Sequence, residues 1–333
     1  MKPTTEMDGT IYMSELLTIT ETAAWLKNND NYLILTHRRP DGDTLGSAGA
    51  LAQGLREAGK TAWVRLNTET TPRYARFVED HWAPGDFSPD HVITVDIAST
   101  DLFTDNCKQY INSVTLCIDH HRSNTRYAGY NCIDGASATC GEMIYDLLIA
   151  ISGNISAKSA ECLYTAVSTD TGCFAFGNTT ADTLRISSLL IKAGAPHREL
   201  NRLLFRTKTR SRISIEGMIN SGLEYYFGGA VAVSTITRNM IETTNASEDD
   251  LDNIASIPGS VEGVLAGITI REMSSPNDCK VSVRTNPAVD AHAICAHYGG
   301  GGHRMAAGFT INATVPEIKE TLLETLRSHM PPK

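Results

Sequence analysis

The chain has 333 residues, with 29 Lys and Arg against 38 Asp and Glu, a formal charge of −9. That length suits two domains, each large enough to bury a core, and a hydrophobic content of 41% excludes wholesale disorder. An acidic balance also argues against a protein that grips long duplex nucleic acid by a basic field.

No run approaches the roughly 18 apolar residues of a membrane span, and the opening MKPTTEMDGT has no apolar block of the signal-peptide kind. The eight cysteines, at 107, 117, 132, 140, 162, 173, 279 and 295, form no CxxC pair, and several lie inside apolar runs. They read as reduced, buried thiols, which points to a soluble cytoplasmic protein without membrane attachment.

In chain order, 31–36 (NYLILT) reads as a buried strand. A polar turn follows, and then a small-residue helix over 44–59 ending at Gly59. TAWVRL (61–66), HVITVD (91–96) and SVTLCID (113–119) are further strands, rich in β-branched residues. Helices are expected over 137–151, 156–170 and 179–194. Strands alternating with helices predict an α/β fold, a parallel sheet with helices on both faces.

The basic stretch 197–212 reads as a connecting helix. After it, EYYFGGAVAVSTIT, VEGVLAGITIRE, KVSVRT, the helical AVDAHAICAHYGG, AAGFTINAT and a last helix compose a smaller α/β domain. The expected divisions are 12–195, a helical linker 196–216, and 217–330.

Acids and histidines cluster at strand ends. LILT leads to His37, with Asp41 and Asp43 in the turn beyond; VITVD ends in Asp96; VTLCID ends in Asp119, followed by His120 and His121. Asp170 follows the apolar run LYTAVST. In an open parallel sheet, ligands bind beyond the carboxyl ends of the strands, so these segments converge on one crevice. So many carboxylates repel one another unless neutralised. Bound divalent cations resolve this, and four aspartates (Asp41, Asp43, Asp96, Asp170) balance two of them. Mixed imidazole and carboxylate donors favour Mn²⁺ over Mg²⁺ without excluding the latter.

Taken singly, each piece has an ordinary meaning. HRRPDGD is a turn sequence, Asp96 a strand-end residue, His121 a core histidine and STDTG a cap. Their combination in this order, at strand ends, favours the functional reading.

The second candidate site is YGGGGHRMAAGF (298–309). Glycines at Gly299, Gly300, Gly301 and Gly302 imply positive φ or close approach. Successive free N–H groups there would form an anion-binding nest, to which His303 and Arg304 add charge. The segment lacks the spacing of a dinucleotide fingerprint. Arg284 in KVSVRT is either a substrate cation or a rim salt bridge. Phe174, Phe176 and Tyr298 read as core rather than as base-stacking platforms.

The ordered series HRRPDGD, VDIAST, IDHHRSN, STDTGCF and GGGGHRMAAG resembles the DHH–DHHA1 phosphoesterases, and among them the bacterial nanoRNase and pAp phosphatase group. The likeness runs from about Leu33 to Phe309. It implies that His37, Asp41 and Asp96 hold one Mn²⁺, and that Asp43, Asp96, His120 and Asp170 hold the other. Asp119 is implied to orient its neighbours, and His121 to face the substrate phosphate and assist the leaving oxygen. Arg284, the Gly299–Gly302 loop and His303 are implied to hold the terminal nucleotide from the DHHA1 domain. Arginines at 38 and 39 depart from the shorter or polar residues expected there, which bears on substrate approach alone.

The implied activity is hydrolysis of two- to five-residue single-stranded RNA to nucleoside 5′-monophosphates, and of pAp, by a two-metal-activated hydroxide. Alternatives are a linear or cyclic dinucleotide phosphodiesterase, an inorganic pyrophosphatase, and a nucleotide-binding protein without catalysis. The oligomeric state is left open, a homodimer among the options.

Overall fold

The computed structural model describes residues 5–7, 10–12, 14–251, 253–275 and 277–331. It divides into two compact units, Met1–Thr207 and Lys208–Lys333, so the break falls inside the segment 196–216.

In the first unit an antiparallel pair, β1 (Thr5–Met7) and β2 (Thr10–Tyr12), precedes the main sheet. That sheet holds β3 (Glu15–Leu16), β4 (Tyr32–Leu35), β5 (Ala62–Val64), β6 (His91–Val95), β7 (Val114–Asp119) and β8 (Tyr130–Ile133). All its pairings are parallel, in the order β3-β8-β7-β6-β4-β5. The chain leaves β4 for β5 on one side and then returns to place β6 on the other. The reversal of strand order therefore lies between β4 and β6, where a doubly wound sheet opens a ligand crevice at its carboxyl edge.

Helices α1 (Ile19–Asn28), α2 (Gly42–Glu57), α3 (Pro72–Ala75), α4 (Cys140–Ser152), α5 (Ala157–Asp170), α6 (Ala181–Lys192) and α7 (His197–Asn201) complete the unit. Alternation along the strands sorts the core onto two faces. Tyr32, Ile34, Ile93, Val95, Leu116 and Ile118 join the cluster shared with α2, α4 and α5. Leu33, Leu35, Val92 and Cys117 face the other way, against Phe103 and Cys107 from 3₁₀ segments.

Helix α2 runs close to α5 because its contact residues are small. A Cβ on Gly46 would lie 2.5 Å from the Cys162 carbonyl oxygen, and one on Gly42 would lie 2.4 Å from Thr169 Oγ1. That approach brings the start of α2 beside the end of α5, which is Asp170.

Several sequence expectations are corrected here. Helix α2 begins at Gly42, so Asp43 is inside its first turn, because the Asp41 carboxylate caps it by accepting from the N–H groups of Asp43 and Thr44. The stretch 197–212 is not one helix. After α7 it makes a π turn over Arg202–Arg206 and breaks, and Thr209 then caps α8 (Arg210–Ser221). The short edge strand β3, its neighbour β8 and the helix α1 carry no signal that the sequence reading used.

In the second unit, β9 (Glu224–Tyr226), β10 (Val231–Ile236), β11 (Ala266–Glu272), β12 (Asp278–Thr285), β13 (Gly301–His303) and β14 (Ala306–Asn312) form a mixed sheet in the order β13-β14-β12-β11-β10-β9. Only β10 and β11 pair in parallel. Helices α9 (Arg238–Thr244), α10 (Ala291–Ala296) and α11 (Val315–His329) join α8 around it. Cys279, Val281 and Val283 of β12 point to the core with Ile318, Leu322 and Leu326 of α11, leaving Lys280, Ser282 and Arg284 on the opposite face.

All eight cysteines are free, and seven of them are buried. Among the described residues no helix is long and apolar enough to cross a membrane.

Candidate metal centre and substrate site

The carboxyl edge of the sheet gathers the donors. His37 follows β4 and Asp96 follows β6, the two strands flanking the reversal of order. Asp119 ends β7, with His120 next, while Asp41 and Asp43 open α2 and Asp170 closes α5. The two oxygens of Asp96 face different imidazoles. Oδ2 lies 3.6 Å from His37 Nε2, and Oδ1 lies 3.4 Å from His120 Nε2. His37 Nε2 is also 3.6 Å from Asp41 Oδ1, and His120 Nε2 is 3.7 Å from Asp43 Oδ2 and 3.9 Å from Asp170 Oδ2.

These spacings exceed good hydrogen bonds. They are near the separation of two donors sharing one ion, about 3–3.6 Å for bonds of roughly 2.1 Å. His37, Asp41 and Asp96 form one group able to hold a cation, and Asp43, His120 and Asp170 another; Asp96, His120 and His121 form a third.

The imidazoles are oriented for ligation. His37 Nδ1–H donates to the Arg38 carbonyl at 2.8 Å, and His120 Nδ1 faces the Ser137 carbonyl at 3.4 Å, so each Nε2 lone pair points to the carboxylates. Glu142 holds that Ser137 turn by accepting from Ser137 Oγ and the Ala138 N–H. Asp43 is buried at the first turn of α4, where the N–H groups of Cys140 and Gly141 donate to its two oxygens and Ser47 Oγ adds a third bond. Asp96 sits at φ 61°, a conformation that bulky residues avoid and that local contacts must enforce.

One atom tests the fit of a cation to these donors. Asp96 Oδ1 is buried and accepts no hydrogen bond. A buried carboxylate oxygen left without a donor is costly, and a cation removes that cost. The donor set fits hard to borderline divalent ions, all oxygen and imidazole nitrogen with no thiolate.

The protein charges alone show the same tension. Burial, and then the charge of Asp96, push the Asp43 carboxyl well above the usual range. Asp170 rises to about 6, from burial and the charges of Asp96 and Asp41, against the pull of His120. Burial would lower His120, yet Asp96, Asp43 and Asp170 raise it to about 10. Asp96 is held low despite its burial, because His120 and His37 face it. In this cluster one proton or cation is always in demand.

Asp119 is fully buried and bridges two partners. Its Oδ1 accepts from His121 Nδ1–H at 2.8 Å, and its Oδ2 accepts from Asn124 at 2.7 Å. The hydrogen bond to Asp119 is the chief reason the His121 imidazole is held above its ordinary value, with burial opposing it. His121 Nδ1 also lies 3.5 Å from Asp96 Oδ1, and its side chain is 39% exposed. It is the half-open member of an otherwise enclosed cluster.

Arg284, Gly299–Gly302 and His303 lie in the second unit. Arg284 lines an open cavity of about 350 Å³ with Ser256, Ser260, Asn286 and Met305. Its guanidinium donates to the Val283 and Ala307 carbonyls. Among the described residues no carboxylate pairs with it, so the rim-salt-bridge alternative is not what forms.

The expected glycine nest is corrected. The Gly299 and Gly300 N–H groups close the end of α10 by donating to Ala296 and Cys295, and Gly301–His303 run as the exposed strand β13. Gly300 and Gly302 are needed for close approach, since a Cβ on either would fall 2.4–2.5 Å from a β14 carbonyl oxygen. The glycines shape a hairpin instead of presenting a row of free donors.

Of the aromatics read as core, Tyr298 stacks on Phe309 and Phe174 packs against Tyr164. Phe176 is 54% exposed, because left-handed residues at 172–174 fold its ring over Gly172.

Sequence reasoning missed the supports Ser47, Asn124, Glu142 and Asn178, the last donating to the Asp170 carbonyl at 3.1 Å. Asn124 stands in IDHHRSN, the only one of the four with a signal in the motifs.

The chain matches the model of the DHH family, N-terminal domain, over residues 31–167, and that of the DHHA1 domain over 228–330. It is 31% identical to the bifunctional oligoribonuclease and PAP phosphatase NrnA of Thermus thermophilus, across 89% of each chain. The chain belongs to the DHH family. The protein of that same name from Bacillus subtilis is 26% identical over 85% of this chain and 90% of its own. The fold is shared with an exopolyphosphatase-related protein from Bacteroides fragilis, at a TM-score of 0.82 and 21% identity, covering 93% of this chain and 95% of that one.

Proposed function

We propose that this chain is a divalent-cation-dependent phosphoesterase that hydrolyses short RNA oligonucleotides to nucleoside 5′-monophosphates and removes phosphate from pAp. The printed names of its relatives support the substrate class. The observation that carries the reading is Asp96, whose two oxygens face separate imidazoles while Oδ1 is buried and unbonded.

In this reading His37, Asp41 and Asp96 hold one cation, and Asp43, Asp96, His120 and Asp170 the other, with Mn²⁺ preferred to Mg²⁺ by the imidazole share. Such a pair, when bound, supplies an activated water and offsets charge on the phosphoryl oxygens. The chain's own groups do the rest. Asp119 fixes His121 with its Nδ1 protonated, so that His121 can serve the leaving oxygen in proton transfer. Asp43, anchored on the α4 amides, and Asp170, held by Asn178, preserve the spacing of the donors. Arg284 and His303, with the Gly299–Gly302 hairpin, take the base and sugar of the terminal nucleotide. Single-stranded RNA and nucleotides are the partners, and the free buried thiols support a cytoplasmic setting.

The test is a panel of pAp, a short oligoribonucleotide, a cyclic dinucleotide and pyrophosphate, run with Mn²⁺, with Mg²⁺ and with chelator. The oligoribonucleotide and pAp should turn over only with a cation, and Asp96→Ala should abolish both turnover and Mn²⁺ binding. Full Mn²⁺-dependent activity in Asp96→Ala, or turnover of pyrophosphate alone, refutes the proposal.

A further inference from the structure

The strand-to-helix turn after β4 carries two cations that the metal centre does not use. Arg38 and Arg39 directly follow His37, and both are exposed. Their backbones are pinned. The Arg38 N–H donates to Leu102 O at 2.7 Å and its carbonyl accepts from His37 Nδ1–H, while the Arg39 N–H donates to Glu69 Oε2 at 2.8 Å. Arg39 sits at φ 52°, a left-handed position that a long side chain seldom takes without enforcement.

The side chains, by contrast, are uncommitted. Among the described residues neither guanidinium has an ion-pair or hydrogen-bond partner. Asp101 feels the charge of Arg38, though its carboxyl is held low first by Ser99. In a chain of net charge −9, two adjacent arginines without ion-pair partners on a rigid turn next to His37 leave cationic groups open to an anion at the edge of the acidic cluster. Arginine presents a planar fork matched to phosphate oxygens, and two side by side can take a phosphate from two directions.

We infer that Arg38 and Arg39 form a second phosphate subsite, which holds the substrate phosphate one nucleotide removed from the phosphate attacked at the metal centre. This rests on the phosphoesterase reading and adds a specificity to it. Substrates with two phosphates, a 5′-phosphorylated dinucleotide or a nucleoside bisphosphate, engage both positions. A dinucleotide with a single internal phosphate engages only the metal centre. Because the arginines touch a phosphate that does not react, they contribute to binding more than to the chemical step.

The experiment compares UpU with 5′-phosphorylated pUpU in the Mn²⁺-loaded full chain. Wild type should prefer pUpU in kcat/KM. Arg38→Gln/Arg39→Gln should raise KM for pUpU about tenfold or more at nearly constant kcat, and leave UpU within about threefold. Its salt dependence on pUpU should flatten, each lost phosphate contact removing about 0.7 from the slope of log affinity on log salt. The double lysine variant, which keeps charge without the fork, should fall between. Lys192→Gln, which removes a surface charge at the end of α6, should change neither substrate.

An unchanged pUpU-to-UpU ratio in the double glutamine variant, or equal losses on both substrates, overturns the subsite. So does loss of the preference in Arg284→Gln while the double glutamine variant retains it, since the phosphate is then held in the other unit. Failure of wild type to cleave either dinucleotide counts instead against the phosphoesterase reading.

Discussion

Gly46→Ala sets two effects of opposite sign against each other. In an exposed helix the change is worth about 1 kcal/mol in favour of alanine. At Gly46 the new methyl would meet the Cys162 carbonyl oxygen at 2.5 Å, Ala166 N at 3.0 Å and Ala166 Cβ at 3.1 Å. The first two are backbone atoms of α5 and cannot rotate aside. Relief needs α2 and α5 to separate by about 0.5–1 Å, which forfeits a quarter to a half of the dispersion along that seam. Overpacking of this kind costs about 1–3 kcal/mol, so the net expectation is a destabilisation of up to about 2 kcal/mol.

The same displacement moves Asp41 and Asp43 on α2 away from Asp170 on α5, so Mn²⁺ affinity should fall by about tenfold or more. Urea unfolding followed by circular dichroism measures the first effect, and calorimetric Mn²⁺ titration measures the second. A variant more stable than wild type by about 1 kcal/mol, with unaltered Mn²⁺ affinity, would refute the close-packing account of how this centre is positioned.

Asp119→Asn should lower kcat by about 10–100-fold while leaving Mn²⁺ affinity within a few-fold, because Asp119 bonds His121 and Asn124; parallel collapse of both in titration and kinetics would contradict that role. Mn²⁺ at a hundred times its dissociation constant should stabilise the wild type by about 2.7 kcal/mol in thermal unfolding, and Asp96→Ala by almost nothing. Buried His81 accepts from Arg56 at 2.8 Å, and burial followed by the charge of Arg56 pushes it down to about 4. The unfolded chain therefore binds the proton first, and stability drains as pH falls from about 6.5 towards 4, by roughly 3 kcal/mol at most. His81→Asn, whose amide oxygen can still accept from Arg56, should flatten that part of the stability–pH curve; an unchanged slope in denaturant titrations would dismiss the assignment.

The donors of the candidate centre were legible because each stands at a strand or helix end that periodicity marks, His37 after LIL, Asp96 after VITV, Asp119 and His120 after VTLCI. The supports were not. Ser47 is one more small residue on a small-residue helix, and Glu142 and Asn178 look like ordinary surface groups until folding brings them to Asp43, Ser137 and Asp170. The glycine run shows the opposite error. Four glycines allow a nest, yet two of their N–H groups were needed to finish α10, and the other two glycines lie in the strand β13 that pairs with β14.

Local sequence thus determined the alternation of strands and helices and the inventory of acids and imidazoles, since these follow from side-chain period, capping and composition, which act over a few residues. Only tertiary structure decided that Asp96 turns its oxygens to two imidazoles, and that α2 lies close enough to α5 to bring Asp43 and Asp170 to His120. Those outcomes depend on strand order and on residues far apart in the chain meeting within a few ångström, a distance that no local pattern encodes.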